Sequence, residues 1–243
     1  MRLLVKLQYN GQHFHGFQYQ HGLRTVQGEL ESILTKMHKS FVRIHPASRT
    51  DRGVHALEQC IHFDTELAIP SERWKFILNR NLSEDLHVSE VTEVESSFHA
   101  RYLTTGKTYR YKIYTTKDRN PFYMGLKTHH PYPLDIEKMK SAMAPFIGVH
   151  DFTSFSSAKG TIQNKEREIT DFRLIETEDG FDFVITGSGF LYNMVRIIVA
   201  YILEVGEGRR EEDTLNIINA KERTLVPRTA PAEGLYLERI YYD

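Results

Sequence analysis

The segment Ala47-Ser48-Arg49-Thr50-Asp51-Arg52-Gly53-Val54-His55-Ala56 gathers charge around one carboxylate. An aspartate set between Arg49 and Arg52 has its ionised form favoured by the cations, and in that form it can serve as a nucleophile or a base. Gly53 supplies the backbone freedom of a tight turn. A salt-bridged surface turn has the same composition, so residue types alone leave both readings open.

A second group lies on Gly106-Lys107-Thr108-Tyr109-Arg110-Tyr111-Lys112-Ile113-Tyr114. On a strand Tyr109 and Tyr111 share one face while Arg110 and Lys112 take the other. Rings can stack on bases and cations such as Lys107 and Arg110 can hold phosphates, which suits looped or single-stranded RNA. Tyrosines filling a core and cations facing water fit the pattern equally well. The surrounding stretch carries Arg101, Lys107, Arg110, Lys112, Lys117, Arg119 and Lys127 against Asp118 alone. That is the composition of a phosphate-binding surface or of a solvated face. A formal net charge of -1 argues against a protein that coats nucleic acid indiscriminately, while leaving room for a local basic groove.

Arg196 is the third candidate. It sits among Met194, Val195, Ile197, Ile198 and Val199, where an unpaired guanidinium would be costly, so a carboxylate partner is expected. Glu204 lies two helical turns away, and Asp51 is the alternative with consequences for chemistry. The preceding Gly187-Ser188-Gly189 lacks the lysine and spacing of a nucleotide-binding loop.

The elements that must position these residues follow from periodicity. Alternation predicts strands over residues 3–9, 41–47, 59–63 and 86–94, and helical spacing predicts helices over 25–39 and 71–79, the latter with Ser71 as N-cap. The order is β-α-β-β-α-β. A second such unit comprises a strand over 108–114, a helix over 135–146 and a hairpin of 166–176 with 181–186 around Asp179-Gly180. Helices over 193–203 and 211–219 and a strand over 234–242 complete it. Two β-α-β-β-α-β units predict an α+β fold of two ferredoxin-like halves, 1–103 and 104–243.

Composition narrows the rest. At 243 residues with 40% hydrophobic content the chain can fill a sizeable core. The apolar stretch 194–205 contains Arg196 and Glu204 and falls short of the roughly 20 residues of a membrane span. The first residues, Met1-Arg2-Leu3-Leu4-Val5-Lys6, do not read as a signal peptide, so a cytoplasmic location is expected. Cys60 is the lone cysteine, which excludes an intramolecular disulfide and a cysteine-based zinc cluster. His55, Cys60 and His62 lack a further ligand to complete a metal set, so no metal is expected.

Taken together these segments resemble the tRNA pseudouridine synthase A family over nearly the whole chain. Tyr9-Asn10-Gly11, Gly16-Phe17-Gln18-Tyr19-Gln20, Arg24-Thr25-Val26-Gln27, Arg49-Thr50-Asp51, Phe98-His99-Ala100-Arg101, Tyr109-Arg110-Tyr111, Phe190 through Arg196 and Ala232-Glu233-Gly234-Leu235 all occur in the family's order. The resemblance implies that Asp51 is the catalytic carboxylate, that Tyr109 stacks against the uracil, and that Arg196 orients Asp51 and keeps it charged. It further implies that Arg49 helps to extrude the base.

The same resemblance implies a homodimer whose subunits each form a continuous, mainly antiparallel sheet with helices on one face and a basic cleft. Transfer RNA would bind across the dimer, with uridines 38, 39 and 40 of its anticodon stem-loop as targets and no cofactor. Ser48 stands where family members usually have glycine and Arg52 where they usually have alanine. Arg52 is therefore expected to touch substrate phosphate or alter substrate choice. A catalytically inactive RNA-binding module is the main alternative, against which the intact Asp51, Tyr109 and Arg196 argue. A nucleobase deaminase would need a zinc site that one cysteine cannot build.

Overall fold

Alternating apolar residues make β1 (Arg2–Tyr9) a strand with one buried face, on which Leu3, Val5, Leu7 and Tyr9 point inward. A computed structural model of the protein, describing residues 1–158, 160 and 162–243, builds its first unit around this strand. β1 pairs antiparallel with β3 (His55–Asp64) on one side and β4 (Leu86–Val94) on the other. Helix α1 (Val26–His38) starts at Thr25, whose hydroxyl accepts the Gly28 N–H, and stops at Lys39, whose backbone turns left-handed. Val26, Leu30, Ile33 and Leu34 of α1, with Trp74 and Leu78 of α2 (Ser71–Asn81), form the unit's core with the buried residues of β1. Each fully buried aliphatic side chain there contributes roughly 1.5–3 kcal/mol of transfer free energy.

Two expectations need correction in this unit. Residues 41–47 form a strand only at β2 (His45–Pro46), which pairs with His62 and Ile61 of β3. Upstream, Val42 and Ile44 are buried, but the Ile44 N–H bonds to the Glu31 carboxylate instead of a neighbouring strand. Ser71 does not cap α2. The cap is Pro70, whose carbonyl accepts the Arg73 N–H and which makes no side-chain cap bond.

The two compact units are Met1–Thr105 with Tyr236–Asp243, and Gly106–Leu235. Strand β10 (Leu235–Tyr242) joins the first unit by pairing in parallel with β3, Tyr236 opposite His55 and Leu237 opposite Ala56. The last strand in the sequence thus completes the sheet of the first half.

In the second unit β5 (Thr104–Tyr114) pairs antiparallel with β9 (Gly180–Gly187), β9 with β8 (Glu166–Thr177), and β8 with β7 (Gly148–Asp151). A two-residue strand, β6 (Thr128–His129), lies parallel to β5. Helix α3 (Ile136–Met143) is capped by the Asp135 carboxylate and tightens into a 3-10 turn at Ala144–Phe146, where Pro145 offers no N–H. Helix α4 (Met194–Gly206) is buried on nearly all sides, the reason its sequence is apolar all round, and α5 (Thr214–Ala220) follows. Phe146, Phe152, Phe155, Phe183 and Tyr201 are buried in this unit. The fold class is α+β with mostly antiparallel pairing in each unit, and among the described residues no helix is long and apolar enough to cross a membrane.

Candidate active site

The Asp51 loop belongs to the first unit and runs from β2 to β3. Asp51 is half-buried, Arg49 and Arg52 are exposed, and Thr50 between them is buried. Thr50 is held from two directions. Its hydroxyl meets the Tyr9 hydroxyl at 2.7 Å, and its carbonyl accepts the Phe17 N–H at 3.0 Å. The Val54 N–H then bonds back to the Asp51 carbonyl at 3.1 Å, closing a turn in which Gly53 has φ +79°.

Gly16 has φ +88°, and a Cβ there would stand 2.9 Å from the Thr50 carbonyl oxygen and 3.2 Å from the Arg52 nitrogen. Backbone therefore lies directly on the loop where any side chain would displace it. The carboxylate is presented by a turn fixed on both flanks, which is what a reacting group needs.

Tyr109 and Arg196 belong to the second unit. Tyr109, 7% exposed, sets its ring edge-on to Phe190 with centroids 5.1 Å apart. Tyr111 is a core residue: it donates to the Pro231 carbonyl, meets the Thr128 hydroxyl at 2.8 Å, and has its phenol pushed upward by burial. Both tyrosines are thus buried in this unit, Tyr111 completely and Tyr109 beside Phe190.

Arg196 stands in the first turn of α4, where its Nε donates to the Ala230 carbonyl at 2.7 Å and a terminal nitrogen donates to Asn193 Oδ1 at 3.0 Å. Asn193 adopts φ +61°, a left-handed conformation that asparagine tolerates. Glu204 is not the partner of Arg196. Its carboxylate meets Arg228 at 3.0 Å and Arg210 at 3.7 Å.

The basic stretch is less free than its composition suggests. Arg110 pairs with Asp182 at 2.9 Å and Lys127 with Asp179 at 2.8 Å, acids brought close by the β5–β9 pairing. Lys107 is half-buried on β5, while Arg101, Lys117 and Arg119 are exposed.

His55, Cys60 and His62 do not act as one group. His55 Nδ1 accepts the Gly11 N–H and its ring stacks on Tyr236, while burial pushes the Cys60 thiol up to about 12. His62 instead gathers with His45 and His99, with ligand-capable atoms all within 4.8 Å of one another. Spacing along the chain gave no sign of this cluster, because it is assembled by the β2–β3 pairing and the segment after β4.

Its hydrogen bonds oppose metal binding. Nδ1 of His62 accepts the Ala100 N–H and Nδ1 of His99 the Arg101 N–H, each at 3.1 Å, so each neutral ring keeps its proton on Nε2. Ligation through those nitrogens would require the opposite tautomer.

Burial, followed by the neighbouring His45 and His99, lowers the His62 pKa to about 4. In the unfolded chain it would titrate near 6.5. Between those values the unfolded chain takes up a proton that the folded chain refuses. Stability from this group is therefore full above about pH 6.5 and is lost as pH falls toward 4. Thermal midpoints at pH 7.5 and pH 5 should drop more for the natural protein than for His62→Gln; equal drops would remove His62 from the acid response.

A family model described as tRNA pseudouridine synthase matches residues 7–103 and 142–243. The chain belongs to that family. It is 53% identical over 244 residues to tRNA pseudouridine synthase A of Staphylococcus aureus (strain bovine RF122 / ET3-1), covering 100% of this chain and 91% of that protein. To the protein of the same name from Staphylococcus saprophyticus it is 54% identical over 242 residues, covering 99% and 91%. It is accordingly an isomerase, a pseudouridine synthase of the tRNA-modifying kind.

Proposed function

We propose that this synthase isomerises uridines 38, 39 and 40 in the anticodon stem-loop of transfer RNA, with Asp51 as its catalytic carboxylate. The observation that carries this reading is the Arg49-Thr50-Asp51 motif on a turn fixed by Tyr9, Gly16 and Phe17, with Asp51 half-buried. The bond from ribose C1′ to uracil N1 breaks, the base turns, and C1′ bonds to C5; C5 loses its proton and N1 gains one. No electrons are transferred, so the chemistry requires no redox cofactor. Attack by Asp51 on C1′, attack on C6 and removal of a sugar proton are three routes to this outcome, and all use the ionised carboxylate.

The target nucleotide must leave its stack to react. Tyr109 would offer a ring to the flipped uracil, with Phe190 fixing its orientation. Arg49, Arg52, Arg101 and Lys107 are candidates for phosphate contacts, and Arg110 is one whose charge is partly answered by Asp182. Such a substrate argues for a cytoplasmic enzyme.

The test uses transfer RNA labelled with tritium at C5 of its uridines. Tritium should be released from the parent RNA and not from one carrying cytidine at 38, 39 and 40 with pairing restored. Undiminished release from the substituted RNA would reject the anticodon assignment. We also infer a homodimer that binds RNA across its two subunits, supported by the family resemblance. Sedimentation should give twice the monomer mass; a monomer both free and RNA-bound would contradict it.

A further inference from the structure

We propose that Gln59 is the positioning residue that holds the Asp51 loop in its reactive shape, an inference that rests on Asp51 being the catalytic carboxylate. Main-chain pairing of β2 with β3 runs from His45 opposite His62 through Pro46 opposite Ile61, and the Ala47 N–H still bonds to the Cys60 carbonyl at 2.8 Å. At the following rung the partner changes. The Gln59 side chain turns toward Ser48 and reads both of its backbone groups: Oε1 accepts the Ser48 N–H at 3.2 Å and Nε2 donates to the Ser48 carbonyl at 2.8 Å.

A side-chain amide therefore takes the place of a strand rung, three positions before Asp51. It moves the loop outward from β3 by a side chain's length while keeping it paired. The same amide reaches two further groups. Its oxygen accepts the Cys60 N–H at 3.2 Å, and its nitrogen lies 3.4 Å from the Tyr9 hydroxyl, which holds Thr50. Ser48 and Thr50, on the approach to Asp51, are thus linked through Gln59 and Tyr9 into one network.

Gln59 is 0% exposed, so its choice of chemistry is demanding. The position needs a donor and an acceptor on one planar group. An apolar side chain would remove both of these bonds to the Ser48 backbone, and a carboxylate would face the Ser48 carbonyl with an oxygen. The plain alternative is that Gln59 is a satisfied buried amide that stabilises the first unit and has no bearing on Asp51.

Two variants separate these readings in the full-length enzyme. A protonated glutamic acid reproduces the amide's two bonds to Ser48, its C=O accepting from the Ser48 N–H and its O–H donating to the Ser48 carbonyl, with only the long contact to Tyr9 left without its N–H donor. The ionised form loses the donor to Ser48 as well. Burial raises the pKa of such a carboxyl toward the neutral range. Gln59→Glu should therefore show turnover within about threefold of the natural enzyme at the acid end of its working range. That turnover should fall at least tenfold as pH rises, with KM for transfer RNA within about twofold throughout. The natural enzyme should lack this added titration. Gln59→Met should lose at least tenfold in kcat at every pH with KM little changed.

Circular dichroism at each pH checks that the proteins are folded, and if Gln59→Met fails to fold, the pH profile of Gln59→Glu decides. Natural kcat in both variants overturns the proposal, as does a pH-independent loss in Gln59→Glu that tracks its thermal stability. Full activity of Asp51→Asn would instead overturn the reading of Asp51 on which the proposal rests, so the two failures are distinguishable.

Discussion

Replacing Asp51 by asparagine should reduce pseudouridine formation by on the order of 10³- to 10⁴-fold or more while leaving the fold and the affinity for transfer RNA close to natural. Asparagine keeps the size and a hydrogen-bonding oxygen but has no anion to attack carbon or accept a proton. The loop's shape should survive, because the contacts that fix it come from Tyr9, Phe17 and the backbone at Gly16, Thr50 and Val54. Mass spectrometry must confirm that the asparagine has not deamidated, since trace aspartate would restore activity. A variant that turns over normally would transfer the chemistry to another residue.

The second large effect is expected at Arg196. Lysine there keeps the charge but cannot donate simultaneously from Nε to the Ala230 carbonyl and from a terminal nitrogen to Asn193 Oδ1. Hydrogen bonds to charged groups are worth about 1.5–3 kcal/mol, so turnover of Arg196→Lys should fall by roughly 10- to 100-fold. Affinity for transfer RNA should change far less, because the role expected of Arg196 is to orient Asp51 and the candidates for phosphate contacts are other residues. Equal losses in kcat and in RNA affinity would make Arg196 a binding residue.

Local pattern was enough for the elements whose neighbours in sequence decide their structure. The alternation of Leu3, Val5, Leu7 and Tyr9 and the spacing of Val26, Leu30, Ile33 and Leu34 are imposed by single buried faces, and β1 and α1 follow from them. The hairpin at Asp179-Gly180 was equally local. Residues 41–44 misled because Val42 and Ile44 are buried without a strand partner, the Ile44 N–H being taken by Glu31.

At the candidate site, the loop position of Asp51 could be read from its charged, glycine-containing segment between apolar runs. Its supports could not. The pairing of Gln59 with Ser48 spans a loop, that of Tyr9 with Thr50 and of Arg110 with Asp182 joins residues far apart in sequence, and none leaves a periodic trace. The cluster of His45, His62 and His99 was hidden for the same reason, since His62 reads locally as the companion of Cys60. Arg196 advertised itself as a cation in an apolar helix, but it binds oxygens of Ala230 and Asn193, while Glu204 is taken by Arg228.

The most direct single measurement is a nucleotide-by-nucleotide map of pseudouridine in unmodified transfer RNA after incubation with the natural enzyme and, side by side, with Asp51→Asn. The natural enzyme should mark uridines at 38, 39 and 40 and no others, and Asp51→Asn should leave the same RNA unmarked over the same period. Marks elsewhere with the anticodon stem-loop untouched, or the natural pattern appearing at the natural rate with Asp51→Asn, would contradict this account.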